Sequence, residues 1–128
     1  MQKRIKILLK GKIIFIALGI TLLICYLSLK KLSSLQIQVS HIDKVFHAIA
    51  YFFLGISWLL SFPKSYSNKV VKYTILICCV LFGIIIEISQ STLTTYRTAS
   101  LLDAIANTVG VVVAVIVFKS IYKKIIAI

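Results

Sequence analysis

The sequence predicts an all-helical integral membrane protein in which four helices form one bundle. Of its 128 residues, 60% are hydrophobic and only 14% are charged, and the mean hydropathy is +1.04. In an ordinary soluble domain roughly half the residues are apolar and about a quarter are charged. The composition therefore argues against a soluble globule, a disordered tail and a disulfide scaffold.

Four apolar runs account for this composition, at residues 13–29, 45–62, 73–90 and 101–118. Each is near the lower limit, about 17 residues, for a helix that crosses a hydrocarbon core of about 30 Å. Because separate spanning segments must satisfy their own backbone polar groups, we predict four transmembrane helices in a single domain covering the whole chain. The basic N-terminal stretch resembles a signal peptide. The first run is long, however, and no small-residue cleavage site follows it, so we predict an uncleaved first helix.

The basic residues predict the orientation of the bundle. Of the 15 Lys and Arg residues, 11 fall at the two termini and in the 63–72 linker, and four fall on the opposite side. The positive-inside rule therefore predicts a multi-pass protein of the cytoplasmic membrane, N-in/C-in, with both termini in the cytoplasm. The net charge is +12. Because the charges lie between apolar runs, they indicate membrane lipids as partners and argue against nucleic acid.

Ionisable and amide side chains concentrate at one level of the predicted bundle. The second and fourth helices begin near the predicted outer surface, and the third helix ends there. The chain has only three acidic residues, too few to solubilise it, and all three fall in this layer. The members of the layer are Asp43, Lys44, His47, Glu87, Gln90, Arg97, Asp103 and Asn107.

Helical spacing places these residues on shared faces. Asp43, His47 and Tyr51 follow one another at intervals of four residues, and so do Asp103 and Asn107. Polar faces with small residues beside them are typical of packed transmembrane interfaces. We therefore expect the polar faces to point at one another rather than at lipid.

Glu87 and His47 are the candidate catalytic residues. Glu87 lies among isoleucines, where a carboxylate must be paired, protonated or in contact with water. The structural alternative is a buried salt bridge with Arg97, whose guanidinium could equally bind a substrate phosphate. Histidine is suited to proton transfer near neutral pH. His47 could alternatively serve only as a hydrogen-bond partner of Asp43 or Tyr51.

The other polar residues are candidate substrate-binding groups, each with a structural alternative. Both aspartates follow a serine by three residues, which resembles a helix capping box. Tyr51 could be a packing tyrosine, and Gln90 and Asn107 could be interhelical hydrogen-bond partners. The candidate binding residues are Asp43, Lys44, Tyr51, Gln90, Arg97, Asp103 and Asn107.

Cysteine usage predicts neither a disulfide framework nor a metal site. Cys25, Cys78 and Cys79 all lie inside apolar runs, and their number is odd. They behave there as small apolar residues. No spacing typical of metal ligands is present, so we predict no metal and no cofactor.

Three motifs together resemble the VanZ-like family. The segments run from residue 43 to residue 110, about half of the chain, in the family's order. The motifs are Asp43-Lys44-x-x-His47-x-x-x-Tyr51-x-x-Leu54-Gly55, Glu87-x-x-Gln90 and Arg97-x-x-Ser100-x-x-Asp103-x-x-x-Asn107-x-x-Gly110. The resemblance implies a small multi-helix membrane protein. The family's named member is associated with low-level resistance to teicoplanin-type glycopeptides, and the family name supplies no mechanism.

Four functions follow from the residues and the resemblance. The first is a cell-envelope or teicoplanin-resistance role at the outer face of the membrane, where the layer binds a lipid-linked cell-wall precursor or a glycopeptide. The second is an intramembrane enzyme on a lipid phosphate, with Glu87 or His47 as acid/base. The third is a small dimeric proton-coupled exporter, less favoured because such sites lie near the midplane. The fourth is a layer that only locks the helices. No motif decides whether the chain forms a homodimer.

Overall fold

A computed structural model describes residues 2–29, 40–93 and 101–127. These residues form four α-helices and one short 3-10 helix. The helices are α1 (Gln2–Leu29), α2 (Ser40–Ser61), α3 (Lys69–Leu93) and α4 (Leu101–Ala127), with the 3-10 helix at Pro63–Tyr66. All four α-helices are long and apolar enough to cross a membrane. The all-helical prediction is therefore confirmed and the four helices are candidate membrane spans, while the side of the membrane on which the termini lie stays a prediction.

The helices extend beyond the apolar runs that predicted them. The first begins at Gln2 rather than at residue 13, and the fourth continues to Ala127 rather than ending at 118. Hydropathy marks only the part of a helix that suits the hydrocarbon core. Lysine and arginine have good helix propensity and keep their charged ends in water, so basic flanks continue α1 and α3 at their beginnings and α4 at its end.

The link between α2 and α3 is a tight turn. Pro63 begins the 3-10 helix directly after Phe62, because proline cannot donate the backbone hydrogen bond that would continue α2. The buried Ser65 hydroxyl donates to the Leu59 carbonyl at 2.9 Å. The Asn68 side chain then accepts from the Val70 amide at 2.9 Å and caps the start of α3.

Side-chain contacts give the directions of the helices. His47 bonds to Asn107 near the beginnings of α2 and α4, and the rings of Tyr66 and Tyr122 lie 4.6 Å apart near the opposite end. The second and fourth helices are therefore parallel, and α3 runs antiparallel to both. We call the end at which α2 and α4 begin and α3 ends the site end. The end that holds the 3-10 helix Pro63–Tyr66 is the turn end.

The closest packing joins α2 to α4. A Cβ atom on Gly110 would collide with the Ala48 carbonyl oxygen, and one on Gly55 would lie 3.0 Å from the Ala114 Cβ. Small residues at these crossings let the two backbones approach each other, as is common between transmembrane helices. Toward the turn end the same interface buries Phe118 completely. The rotation of α2 against α4 is consequently fixed by backbone contact.

The outer helices α1 and α3 pack on this central pair. The Trp58 indole donates to the Thr21 hydroxyl at 3.0 Å, which joins α2 to α1. Thr21 in turn donates to the Ala17 carbonyl of its own helix at 2.8 Å. Large apolar side chains on the outside, such as Phe15, Leu22 and Ile116, are more than half exposed, which suits a surface surrounded by lipid.

Candidate functional site

Asn107 lies at the centre of a polar cluster on the site-end half of the bundle. Its side chain is 2% exposed, and its Oδ1 atom accepts a hydrogen bond from His47 Nδ1 at 3.0 Å. An amide oxygen can only accept, so Nδ1 of His47 carries the hydrogen. In the neutral imidazole the basic nitrogen is then Nε2. The bond thus joins α4 to α2 and selects the histidine tautomer.

Tyr51 lies on α2 one turn deeper than His47. Its side chain is 2% exposed and its ring is tilted against Phe82 on α3 at a centroid distance of 6.2 Å. Within the described part of the chain, neither the Tyr51 hydroxyl nor Nδ2 of Asn107 has a hydrogen-bond partner. Most buried polar groups in folded proteins are hydrogen-bonded. Two buried donors with unmet capacity in one cluster therefore call for a functional explanation.

Glu87 approaches the cluster from α3. Its side chain is 4% exposed, and it lies near enough to Tyr51 for an electrostatic interaction. One turn along the same helix, a Cβ atom on Gly83 would lie 3.1 Å from Tyr51 Cε1 and 3.3 Å from Asn107 Cβ. The glycine therefore lets α3 lie close against both neighbours, and the following turn brings the carboxylate beside them.

The three central positions lie at similar distances from the ends of their helices. Asn107 lies six residues after the start of α4, and Glu87 lies six residues before the end of α3. At a rise of about 1.5 Å per residue, each is about 9 Å inside its helix end. His47 lies seven residues into α2 and falls at nearly the same level. These three residues of the predicted polar layer, together with the deeper Tyr51, therefore form one cluster in the folded bundle.

Two charged residues lie nearer the site end than the buried cluster. Lys44 precedes His47 by three residues on α2, and Asp103 precedes Asn107 by four on α4. Both are half-buried, and Asp103 lies in the first turn of its helix, where a carboxylate is favoured by the helix dipole. The site consequently changes from charged and half-buried at its rim to polar and buried inside.

The structure brings together four of the predicted residues: His47, Tyr51, Glu87 and Asn107. Asn107 is confirmed as an interhelical hydrogen-bond partner, although its partner, His47, was not predicted. Arg97 lies outside the described residues, and so do the side chains of Asp43 and Gln90. The salt bridge between Glu87 and Arg97 therefore stays a prediction.

The sequence did not predict a cavity between α1, α2 and α3 on the turn-end half of the bundle. Its volume is about 530 Å³, and its lining includes Trp58, Phe62, Val70 and Cys78. The lining residues of α2 and α3 recur at helical spacing, but the same spacing is typical of a closely packed helix face, so it does not predict an open space. Among the described residues, no group of three or more His, Cys, Asp and Glu side chains could hold a metal ion.

Comparison with known proteins agrees with the motifs. The family model VanZ/LLP1 matches residues 7–123, which include nearly all of the four helices and every residue of the cluster. No curated protein and no solved structure matches the chain. With this extent of match, four candidate spans and the polar cluster between them, the chain belongs to the VanZ/LLP1 family and is a multi-pass membrane protein.

Proposed function

We propose that this protein acts in the cell envelope by binding the anionic headgroup of a lipid-linked cell-wall precursor at the outer face of the cytoplasmic membrane. One observation carries the proposal: two buried donors, the Tyr51 hydroxyl and Asn107 Nδ2, have no hydrogen-bond partner in the described part of the chain. An unmet buried donor costs about 1–3 kcal/mol. Phosphate oxygens accept hydrogen bonds from both kinds of group and would remove this cost.

Of the two charged residues at the rim of the site, Lys44 supports an anionic ligand. Lys44 is half-buried and lies one turn from His47 toward the site end. Its ammonium group would attract a phosphate, and the donors deeper in the site would orient it. Arg97 is assigned to the same role on sequence grounds alone. With both termini in the cytoplasm, as the basic residues predict, this end of the bundle faces outward, where the lipid-linked precursors are used.

Glu87 has a defined role in such a complex. An ionised Glu87 carboxylate would repel a bound phosphate, whereas a neutral side chain at this position would not. A carboxylic acid is a further donor. We therefore expect Glu87→Gln, which is neutral and keeps a donor, to retain binding.

Direct binding tests the proposal. The full chain in nanodiscs is titrated with a polyprenyl monophosphate, and the uncharged polyprenol serves as the control ligand. A hydrogen bond to a charged group contributes about 1.5–3 kcal/mol, so Tyr51→Phe and Asn107→Leu should each weaken binding roughly 10–100-fold. Tyr73→Phe, which removes an exposed hydroxyl on α3, should leave binding unchanged. Equal affinity for phosphate and alcohol, or unchanged binding in both site variants, would contradict the proposal.

A second candidate, an intramembrane enzyme on lipid phosphates, is favoured by the bond between His47 and Asn107. Because that bond holds the hydrogen on Nδ1, it presents Nε2 as a base, and Glu87 could supply the acid. Phosphate release distinguishes the two candidates. If the acid is catalytic, the unaltered protein should release phosphate from a polyprenyl pyrophosphate and Glu87→Gln should not; if the site only binds, neither protein should release phosphate and both should bind the ligand.

The envelope role is tested in a Gram-positive host. Teicoplanin and vancomycin susceptibility would be compared for the unaltered protein and for Asn107→Leu at matched membrane abundance, with Tyr73→Phe as the control. We expect teicoplanin protection that Asn107→Leu loses and Tyr73→Phe keeps. If Asn107→Leu kept the protection, the polar cluster would not be required for the envelope role.

A further inference from the structure

The cavity between α1, α2 and α3 lies apart from the polar cluster. Its volume is about 530 Å³, within the usual range of small-molecule sites. The lining is almost wholly apolar and comes from Leu54 and Trp58 on α2, from Phe62 just after it, from Val70 to Phe82 on α3, and from Thr21 on α1. It therefore extends along the helices, as an acyl chain would, and reaches the turn end at Phe62 and Val70.

Lysines surround the point at which the cavity reaches the turn end. Lys69 and Lys72 lie in the same helical turn as the lining residues Val70 and Val71, and Lys64 follows Phe62 by two residues. Lys64 and Lys69 are exposed and Lys72 is half-exposed. A cationic rim next to an apolar groove is complementary to a molecule with an anionic head and a hydrocarbon tail.

We infer that this groove binds one anionic glycerophospholipid of the surrounding membrane, with an acyl chain between α1, α2 and α3 and the phosphate beside Lys69 and Lys72. The cavity accounts for the tail and the lysines account for the headgroup. The inference is independent of the proposed function, because the polar cluster shares no lining residue with the groove. The bound lipid would join α1 to α3, the two outer helices, across the groove.

The single tryptophan of the chain makes the inference testable. Trp58 lines the groove and is the only tryptophan in the sequence, so bromine atoms on a bound acyl chain quench its fluorescence directly. The full chain is reconstituted in phosphatidylcholine vesicles that contain acyl-brominated phosphatidylglycerol or acyl-brominated phosphatidylcholine at equal mole fractions. We expect half-maximal quenching at a lower mole fraction of the phosphatidylglycerol, by roughly fivefold for each lysine that contacts the phosphate.

Two pairs of variants separate groove binding from contact with the lipid annulus. Lys69→Gln/Lys72→Gln should abolish the preference for phosphatidylglycerol, whereas Lys123→Gln/Lys124→Gln, which removes two exposed lysines of α4, should keep it. Cys78→Phe, which fills the groove, should reduce quenching by both lipids. Ile116→Phe on the exposed face of α4 should not. Circular dichroism checks that each variant keeps its helices.

Three results would overturn the inference. The first is equal quenching of the unaltered protein by the two brominated lipids. The second is the same preference in both double-lysine variants. The third is disulfide formation between Cys78 residues of two copies, with Trp58 protected from both lipids, which would assign the groove to a second copy of the chain.

Discussion

Gly110→Ala is expected to disrupt the contact between α2 and α4 on which the cluster depends. The added Cβ atom would collide with the Ala48 carbonyl oxygen and lie 3.0 Å from the Phe52 amide nitrogen. Both atoms belong to the backbone of α2, so no side-chain rotation relieves the clash. Overpacking in a close-packed interior costs about 1–3 kcal/mol, and we expect the upper part of that range.

Two other glycines give a matched series for this prediction. Gly55→Ala would place its Cβ atom 3.0 Å from the Ala114 Cβ and 3.7 Å from Val111, a tight but milder contact. Gly19→Ala meets nothing within 4 Å in the described part of the chain. It should gain up to about 1 kcal/mol of helix propensity. The expected order of stability is therefore Gly19→Ala, then Gly55→Ala, then Gly110→Ala.

Unfolding in increasing mole fractions of SDS measures this order. Cys79 is buried, whereas Cys25 and Cys78 are more accessible, so a Cys25→Ser/Cys78→Ser background leaves one thiol that reacts with maleimide only when the bundle opens. The same variants should weaken the hydrogen bond between His47 and Asn107 in the same order. This bond lies on the interface between α2 and α4, whose close approach depends on Gly110. A Gly110→Ala protein as stable as Gly19→Ala would refute the reasoning about backbone contact.

Three further predictions concern single hydrogen bonds. Asn107→Leu should release the His47 tautomer, which ¹⁵N NMR of the imidazole would detect as a mixture of Nδ1–H and Nε2–H forms; an unchanged single tautomer would contradict the assignment. Trp58→Phe should remove the bond to Thr21 and, at about 0.6 kcal/mol for such a bond between transmembrane helices, speed hydrogen exchange in α1 about threefold, with exchange in α4 as the control. Asn68→Ala should remove the cap of α3 at a cost of about 1 kcal/mol and Asn68→Asp should retain it, which the SDS assay would show as a loss for alanine alone.

The helices could be predicted from the sequence, but their ends could not. The apolar runs gave four spans because only helices cross the hydrocarbon core as separate segments. They missed the first eleven residues of α1 and the last nine of α4, because hydropathy does not report whether a basic flank continues a helix. Proline did indicate a boundary, since α2 ends at Ser61, two residues before Pro63.

For the candidate site, the sequence predicted which residues share a helix face, but it did not predict which residues contact one another. Spacing placed His47 and Tyr51 on one face and predicted Asn107 as an interhelical partner. It could not pair His47 with Asn107, because the pairing depends on the rotation of α2 against α4. That rotation follows from the approach of Gly110 to Ala48, a contact between residues distant in sequence. The groove was missed for the same reason, since three helices contribute to it.

The most direct test of the central claim is the side-chain amide signal of Asn107. With selective ¹⁵N labelling of asparagine in nanodiscs, a polyprenyl monophosphate should shift the Nδ2 protons of Asn107 downfield, as expected when a donor without a partner gains a phosphate oxygen. The uncharged polyprenol should leave them in place, and Asn68 at the turn end should not respond to either ligand. An Asn107 signal that does not move with the phosphate, or that moves equally with the alcohol, would contradict headgroup binding at the cluster.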